Sequence, residues 1–248
     1  MTYNLWFFSG IDRLILKCWK STNEVEKMLT DLQKKIIEHT EDYVYKLLKD
    51  DASGHDWWHI HRVRNLAKSI AKQERKEINF FICEMAALLH DVADEKMNKT
   101  EADGEKKVRS WLSTHPITEE ETEQIMDIIL HMSYKGGTNK TKLTSIEGKI
   151  IQDADRLDAI GAIGIARTMA YSGSKNRLIH DPEKKPREHL TIEDYRSGED
   201  TAIMHFYEKL LKLKEEMNTT PGKKLAEQRH AFMEHYLSEF YAEWDGDR

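Results

Sequence analysis

The chain has 248 residues with 44 acidic and 38 basic side chains, a formal charge of −6. Apolar residues make up 39% and aromatics 9%, which supplies bulk for a core and excludes collagen-like or low-complexity sequence. The acidic balance, without a long basic run, argues against an electrostatically driven binder of polymeric nucleic acid. Cys18 and Cys83 are too few for a disulfide framework or a zinc ribbon, so a reducing, cytoplasmic setting is expected. Twelve His stand against only 4 Pro and 12 Gly. Few breakers imply long helices, and the histidines invite a search for a metal site.

Residues 1–27 stand apart. Two apolar clusters, Leu5–Phe8 and Leu14–Leu16, flank Gly10, Asp12 and Arg13. The charges interrupt what would need about 20 apolar residues to span a membrane. No positive charge precedes the first cluster and no small-residue cleavage site follows, so a secretory signal is not indicated. The expectation is an N-terminal extension, either disordered, interfacial or a start-site artefact, ahead of a domain at 28–248.

From there the elements read as helices. Over 31–49, Leu32, Ile36, Tyr43, Val44, Leu47 and Leu48 recur at roughly helical spacing. A loop with Asp50, Asp51, Ser53 and Gly54 follows. From Trp57 to Arg75 the stripe His59, Val63, Leu66, Ile70 forms one helix face. Residues 78–90 are apolar on most sides, which predicts a central helix. Amphipathic helices are expected over 101–114 and 118–132, the second opened by a Thr118/Glu121 capping box. Ser145 opens a helix running toward Ala170. Residues 171–198, with Gly173, Pro182, Pro186 and Gly198, predict a long loop of the kind that is often functional. Helices over 199–217 and 221–244 follow, with Pro221 suited to a helix start. Strand alternation and hairpin signals are absent. The fold class is all-α, a single helical domain with one large loop near 171–198.

Three places carry chemistry: His59, the pair His90-Asp91 at the end of the apolar helix, and Asp155 within QDADRLD. Singly, each has an ordinary explanation: a hydrogen-bonded core His, a common dipeptide, an Asp paired with Arg156. Together they supply two imidazole nitrogens and two carboxylates, a set suited to divalent first-row metals. His59 and Asp155 also fall on apolar stripes, where an unpaired acid would cost several kcal/mol and a bound cation removes that cost.

The stretches GHDWWHIHRVRNLA (54–67), ALLHDVADEK (87–96) and QDADRLDAIGAIG (152–164) resemble the HD-domain superfamily of metal-dependent phosphohydrolases. The family's His-x-x-Arg-Val motif falls on His59, Arg62 and Val63, which implies His59 rather than His55 or His61 as ligand. Its HD pair falls on His90 and Asp91. Its last ligand falls on Asp155 rather than Asp153 or Asp158. The resemblance covers about 50–165. With HMSYKG and HFYEKLLKLKEEMNT (205–219) it extends nearly to the C-terminus as a bacterial subgroup of stand-alone HD hydrolases.

The resemblance implies hydrolysis of a phosphoester or phosphoanhydride bond with a divalent ion. Mn2+ is favoured, with Mg2+, Fe2+, Co2+, Ni2+ or Zn2+ as options. Asp94 and its neighbour Glu95 are the candidate general bases. Arg62, Lys96, His131, Lys135 and Arg156 are candidates for holding substrate. The Lys135-Gly136-Gly137 turn is too short for a P-loop, and no GxxxxGK(S/T) occurs. The expected substrate is a phosphorylated small molecule, foremost a nucleotide cleaved by a triphosphate pyrophosphohydrolase or a phosphatase. A non-catalytic metal-binding HD signalling module and an alarmone or cyclic-nucleotide hydrolase remain as alternatives. No membrane or polymeric nucleic-acid partner is expected, and a homodimer is left open.

Overall fold

The computed structural model describes residues 28–50, 56–94, 97–132, 142–187 and 200–248. Among them there is no strand. The helices are α1 (Asp31–Leu48), α2 (Trp57–Gln73), α3 (Phe80–Leu89), α4 (Glu101–Leu112), α5 (Glu119–His131), α6 (Ile146–Asp158), α7 (Gly161–Ser174), α8 (Ala202–Glu208) and α9 (Thr220–Trp244). Two 3-10 turns, His90–Ala93 and Leu210–Lys212, join them.

Local sequence sets the starts. Thr30 caps α1 in a capping box with Gln33, and Thr118 does the same for α5 with Glu121. Asp56, Asn79, Thr100, Ser145 and Thr219 each accept a backbone N–H in the first turn of the following helix. Thr219 rather than Thr220 caps α9, placing Pro221 within its first two positions.

Helix α3 is the centre. Nine of its ten residues are buried, and it packs on α1, α2, α5 and α6. Its one charge, Glu84, is 4% exposed and meets Arg64 and Lys68 of α2, the latter at 2.7 Å. Arg64 in turn reaches Glu41 of α1 at 2.6 Å. A buried carboxylate is tolerated because two cations reach it. On α2, His59, Val63 and Ile70 are buried as the stripe predicts. On α1 the stripe is partly right: Ile36, Val44 and Leu48 are buried, whereas Leu32 and Leu47 face outward.

Two expected helices differ. The segment from Ser145 toward Ala170 is two helices, because the chain turns at Gly161 with φ +77, a conformation favouring Gly. The segment 199–217 winds as α only over Ala202–Glu208 and then tightens. Helix α7 continues to Ser174, so the long loop begins later than 171. No helix among the described residues is long and apolar enough to cross a membrane. Residues 1–27 lie outside the described residues.

Candidate metal centre

Two helices and one turn deliver the centre. Asp56 accepts the His59 backbone N–H at 2.8 Å, fixing His59 in the first turn of α2. After Leu89 the chain tightens into the turn His90–Ala93, which places His90 and Asp91 side by side. That turn is held from outside. Asn98 donates to the Val92 and Asp94 carbonyls at 2.8 and 2.9 Å. Gly104 of α4 lies so close to the Ala93 carbonyl that a Cβ there would overlap it. Asp155 comes from the last turn of α6.

His59, His90 and Asp91 converge, and Asp155 joins them at His59. His59 Nε2 lies 3.3 Å from His90 Nε2, 3.4 Å from Asp91 Oδ2 and 3.4 Å from Asp155 Oδ1. His90 Nε2 lies 3.4 Å from Asp91 Oδ1. The other ring nitrogens are committed. His90 Nδ1 is 2.8 Å from the Ala87 carbonyl and His59 Nδ1 is 2.7 Å from Asp158 Oδ2. A carbonyl and a carboxylate only accept, so each Nδ1 carries a hydrogen, and a ring that is neutral turns its Nε2 lone pair inward. Two imidazole nitrogens and the Asp91 carboxylate around one point, with the Asp155 carboxylate beside His59, call for positive charge. The donor set therefore fits a divalent cation.

A proton on His59 Nε2 meets the same demand, and a cation bound there would displace it. Burial lowers the His59 pKa, but hydrogen bonds to Asp155 and Asp158 and the charge of Asp91 outweigh it and carry it to about 9. Burial raises Asp155, and the hydrogen bond and charge of His59, with His90, take it down to about 2. His59, His90 and Asp91 are almost fully covered, whereas the Asp155 side chain is 32% exposed. Asp155 thus marks the open side of the cluster.

Behind His59 stands a residue the sequence reading passed over. Asp158, 1% exposed, accepts from His59 Nδ1, from Arg62 Nε at 2.7 Å and Nη2 at 3.0 Å, and from Arg167 Nη1 at 2.7 Å. Burial pushes its pKa up, but His59 and the two arginines hold it well below the usual carboxylate range. The available signal was its spacing, three residues after Asp155 on the same helix face. Arg167 carried none, since the chain turns between it and Asp158.

The remaining expected residues sit as follows. Arg62 is paired with Asp158, on the Nδ1 side of the His59 ring. Arg156 donates to the Glu216 backbone carbonyl, with the Glu216 carboxylate 3.9 Å away. His131 Nδ1 lies 2.9 Å from both the Asp127 carbonyl and its carboxylate, within its own helix, which packs on the His90–Ala93 turn. Asp94 directly follows that turn, its N–H donating to the Asp91 carbonyl at 3.1 Å. Glu95, Lys96 and Lys135 lie outside the described residues. Asp153, two residues before Asp155, turns the other way and anchors the start of α9 through Asn218 and Thr219.

The HD domain model matches residues 57–160. The uncharacterized protein YpgQ of Bacillus subtilis (strain 168) is 38% identical over 200 residues, 80% of this chain and 89% of its own length. A crystal structure of an HD-superfamily hydrolase from Bacillus thuringiensis is 48% identical, with a TM-score of 0.70, covering 86% of this chain and 99% of that one. A protein from Lactobacillus plantarum is 42% identical with a TM-score of 0.75, covering 88% and 99%. Bacillus subtilis YpgQ in complex with ADP is 35% identical with a TM-score of 0.69, covering 86% and 96%. The chain belongs to the HD domain family. Its fold and its hydrolase class are those of the HD-superfamily hydrolases.

Proposed function

We propose that the protein is a divalent-metal-dependent phosphohydrolase that cleaves a phosphoester or phosphoanhydride bond of a nucleotide. The observation that carries the reading is the convergence of His59 Nε2, His90 Nε2 and Asp91, with Asp155 Oδ1 3.4 Å from His59 Nε2. When bound, a divalent ion polarises a phosphoryl oxygen and makes water a stronger nucleophile at neutral pH. His59, His90, Asp91 and Asp155 would hold it, with Mn2+ the favoured ion. The two carboxylates balance its charge, and the partly exposed Asp155 leaves that side open to a phosphate group.

A proton must leave the attacking water. Asp94, at the end of the His90–Ala93 turn, is the first carboxylate after the His90-Asp91 pair, and we assign it the general-base role, with Glu95 beside it. Lys96, Lys135 and His131 are the candidates for holding phosphate charge, while Arg62 and Arg156 are engaged by Asp158 and Glu216. A nucleotide is favoured because the relative YpgQ binds ADP in its crystal structure. A triphosphate pyrophosphohydrolase and a nucleotide phosphatase are told apart by their products.

The test is a panel of nucleoside mono-, di- and triphosphates assayed with Mn2+, scoring orthophosphate and pyrophosphate release separately. Turnover of at least one nucleotide, abolished by chelation, is expected. No turnover of any phosphorylated compound with any divalent ion would overturn the reading in favour of a non-catalytic HD module.

A further inference from the structure

His59 faces the metal cluster with one ring nitrogen and Asp158 with the other. We propose that Asp158 is the positioning residue of this centre: braced by Arg62 and Arg167, its carboxylate fixes the His59 ring so that the Nε2 lone pair stays aimed at His90, Asp91 and Asp155. This deepens the metal-binding reading of the cluster and rests on it.

The first support is geometric. Asp158 Oδ2 lies 2.7 Å from His59 Nδ1, and a carboxylate can only accept there. That forces the hydrogen onto Nδ1 and leaves Nε2 as the donor atom for a cation. Without Asp158 the ring is free to carry its hydrogen on Nε2, and in that tautomer it cannot ligate.

The second support is the bracing. A carboxylate 1% exposed is costly unless its charge is met. Arg62 donates to both its oxygens, and Arg167 donates to Oδ2 and, at 3.3 Å, to the Asp158 backbone carbonyl. Three arginine N–H groups thus set the plane of the carboxylate before His59 meets it.

The third is topological. His59 and Arg62 are three residues apart on α2, and Asp155 and Asp158 three apart on α6. Each helix therefore offers one metal ligand and one bracing group on neighbouring positions of a single face. Helix α7 adds Arg167 after the turn at Gly161. One carboxylate fastens three helices and orients one ligand. This gives Arg62, a candidate for substrate, a place in the support of the centre instead.

The experiment measures metal binding without substrate. Mn2+ affinity is read by calorimetry, and Co2+ titrations are followed by visible absorption, which reports the ligand field. Thermal unfolding is measured in chelator. Asp158→Asn is expected to weaken Mn2+ about 10- to 100-fold, as loss of a partner behind a ligating His typically does, and to change the Co2+ spectrum. Arg167→Gln, which leaves His59 and Asp158 in place, is expected to weaken Mn2+ by a smaller factor, and it carries the test if Asp158→Asn does not fold. A purely structural clasp would instead lower the unfolding temperature while leaving Mn2+ affinity and the Co2+ spectrum of the folded protein unchanged. That result would overturn the proposal. A wild-type chain that binds neither Mn2+ nor Co2+ would instead refute the metal reading on which the proposal rests.

Discussion

Asp153 Oδ2 accepts two hydrogen bonds from Thr219, one from the backbone N–H and one from the hydroxyl, both at 2.8 Å. Oδ1 takes the Asn218 backbone N–H at 2.8 Å and its side-chain amide at 2.9 Å. A fully buried carboxylate on the metal-bearing helix thereby fixes the start of α9. Asp153→Asn leaves one oxygen where two were needed and turns an amide N–H₂ toward donors. A loss of about 2–4 kcal/mol in unfolding free energy is expected. The check is the urea midpoint at unchanged slope. Mn2+ affinity should stay within a few-fold of wild type, and a collapse of binding at full stability would contradict the structural role.

Gly222 tests the same junction from the other side. A Cβ at this position would overlap Asp153 Oδ2 and press on the Thr219 hydroxyl. Gly222→Ala is therefore expected to destabilise the chain by roughly 1–3 kcal/mol through forced displacement of buried groups, against the usual gain from removing a helical glycine. A stabilised variant in chemical denaturation would show that the two helices can part at no cost.

Metal binding should be visible as stability. Anything that binds only the folded chain stabilises it by about 2.7 kcal/mol at a concentration of 100 Kd. For a chain of this length that is roughly 5–10 °C in Tm. Wild type should show this rise with Mn2+ and lose it with chelator. His90→Ala and Asp155→Ala should show almost none, and both should lose turnover. Full activity in either variant would remove that residue from the ligand set.

The helical class was legible in the sequence because the apolar stripe at Val63 and Ile70 has a period that only a helix buries, and because the apolar run across 80–89 is longer than a usual buried strand. Caps were legible too, since Thr118 and Glu121 act within one turn. The break at Gly161 was not, because GAIGIA reads as continuous apolar helix and only the backbone angle of one residue interrupts it. The three aspartates of α6 show the same limit. Asp153, Asp155 and Asp158 look alike in sequence, and their separate tasks arise from what tertiary packing sets against each: Thr219, the histidine pair, and Arg62 with Arg167. Long-range partners of this kind leave no local trace.

Asp94 offers a kinetic prediction. If it takes the proton from the attacking water, Asp94→Asn should lower kcat about 10²- to 10⁴-fold. Mn2+ affinity should be unchanged, because the residue is outside the ligand cluster. Glu95→Gln in parallel assigns the role between the two. A variant at Asp94 that loses Mn2+ binding in step with kcat would make it a support of the turn instead of a base.

His205 gives a pH prediction away from the centre. Burial drives its pKa from 6.5 down to about 3, and the nearby charges of Lys209 and Arg177 push the same way, against the Asp200 carboxylate 4.0 Å from its Nδ1. The folded chain keeps the ring neutral at pH values where the unfolded chain protonates it. The unfolded state therefore binds more protons between about pH 6.5 and pH 3. Stability from this residue is fully present above 6.5 and drains away as the pH falls toward 3. The limiting slope for one proton is about 1.4 kcal/mol per pH unit, and the side chain, a fifth exposed, should approach about 1. His205→Gln removes the titration. Urea unfolding of both chains from pH 7 to pH 4 should show wild type losing its advantage steadily below 6.5. A difference between the two that stays constant across that range would mean that His205 titrates alike in the folded and unfolded chains.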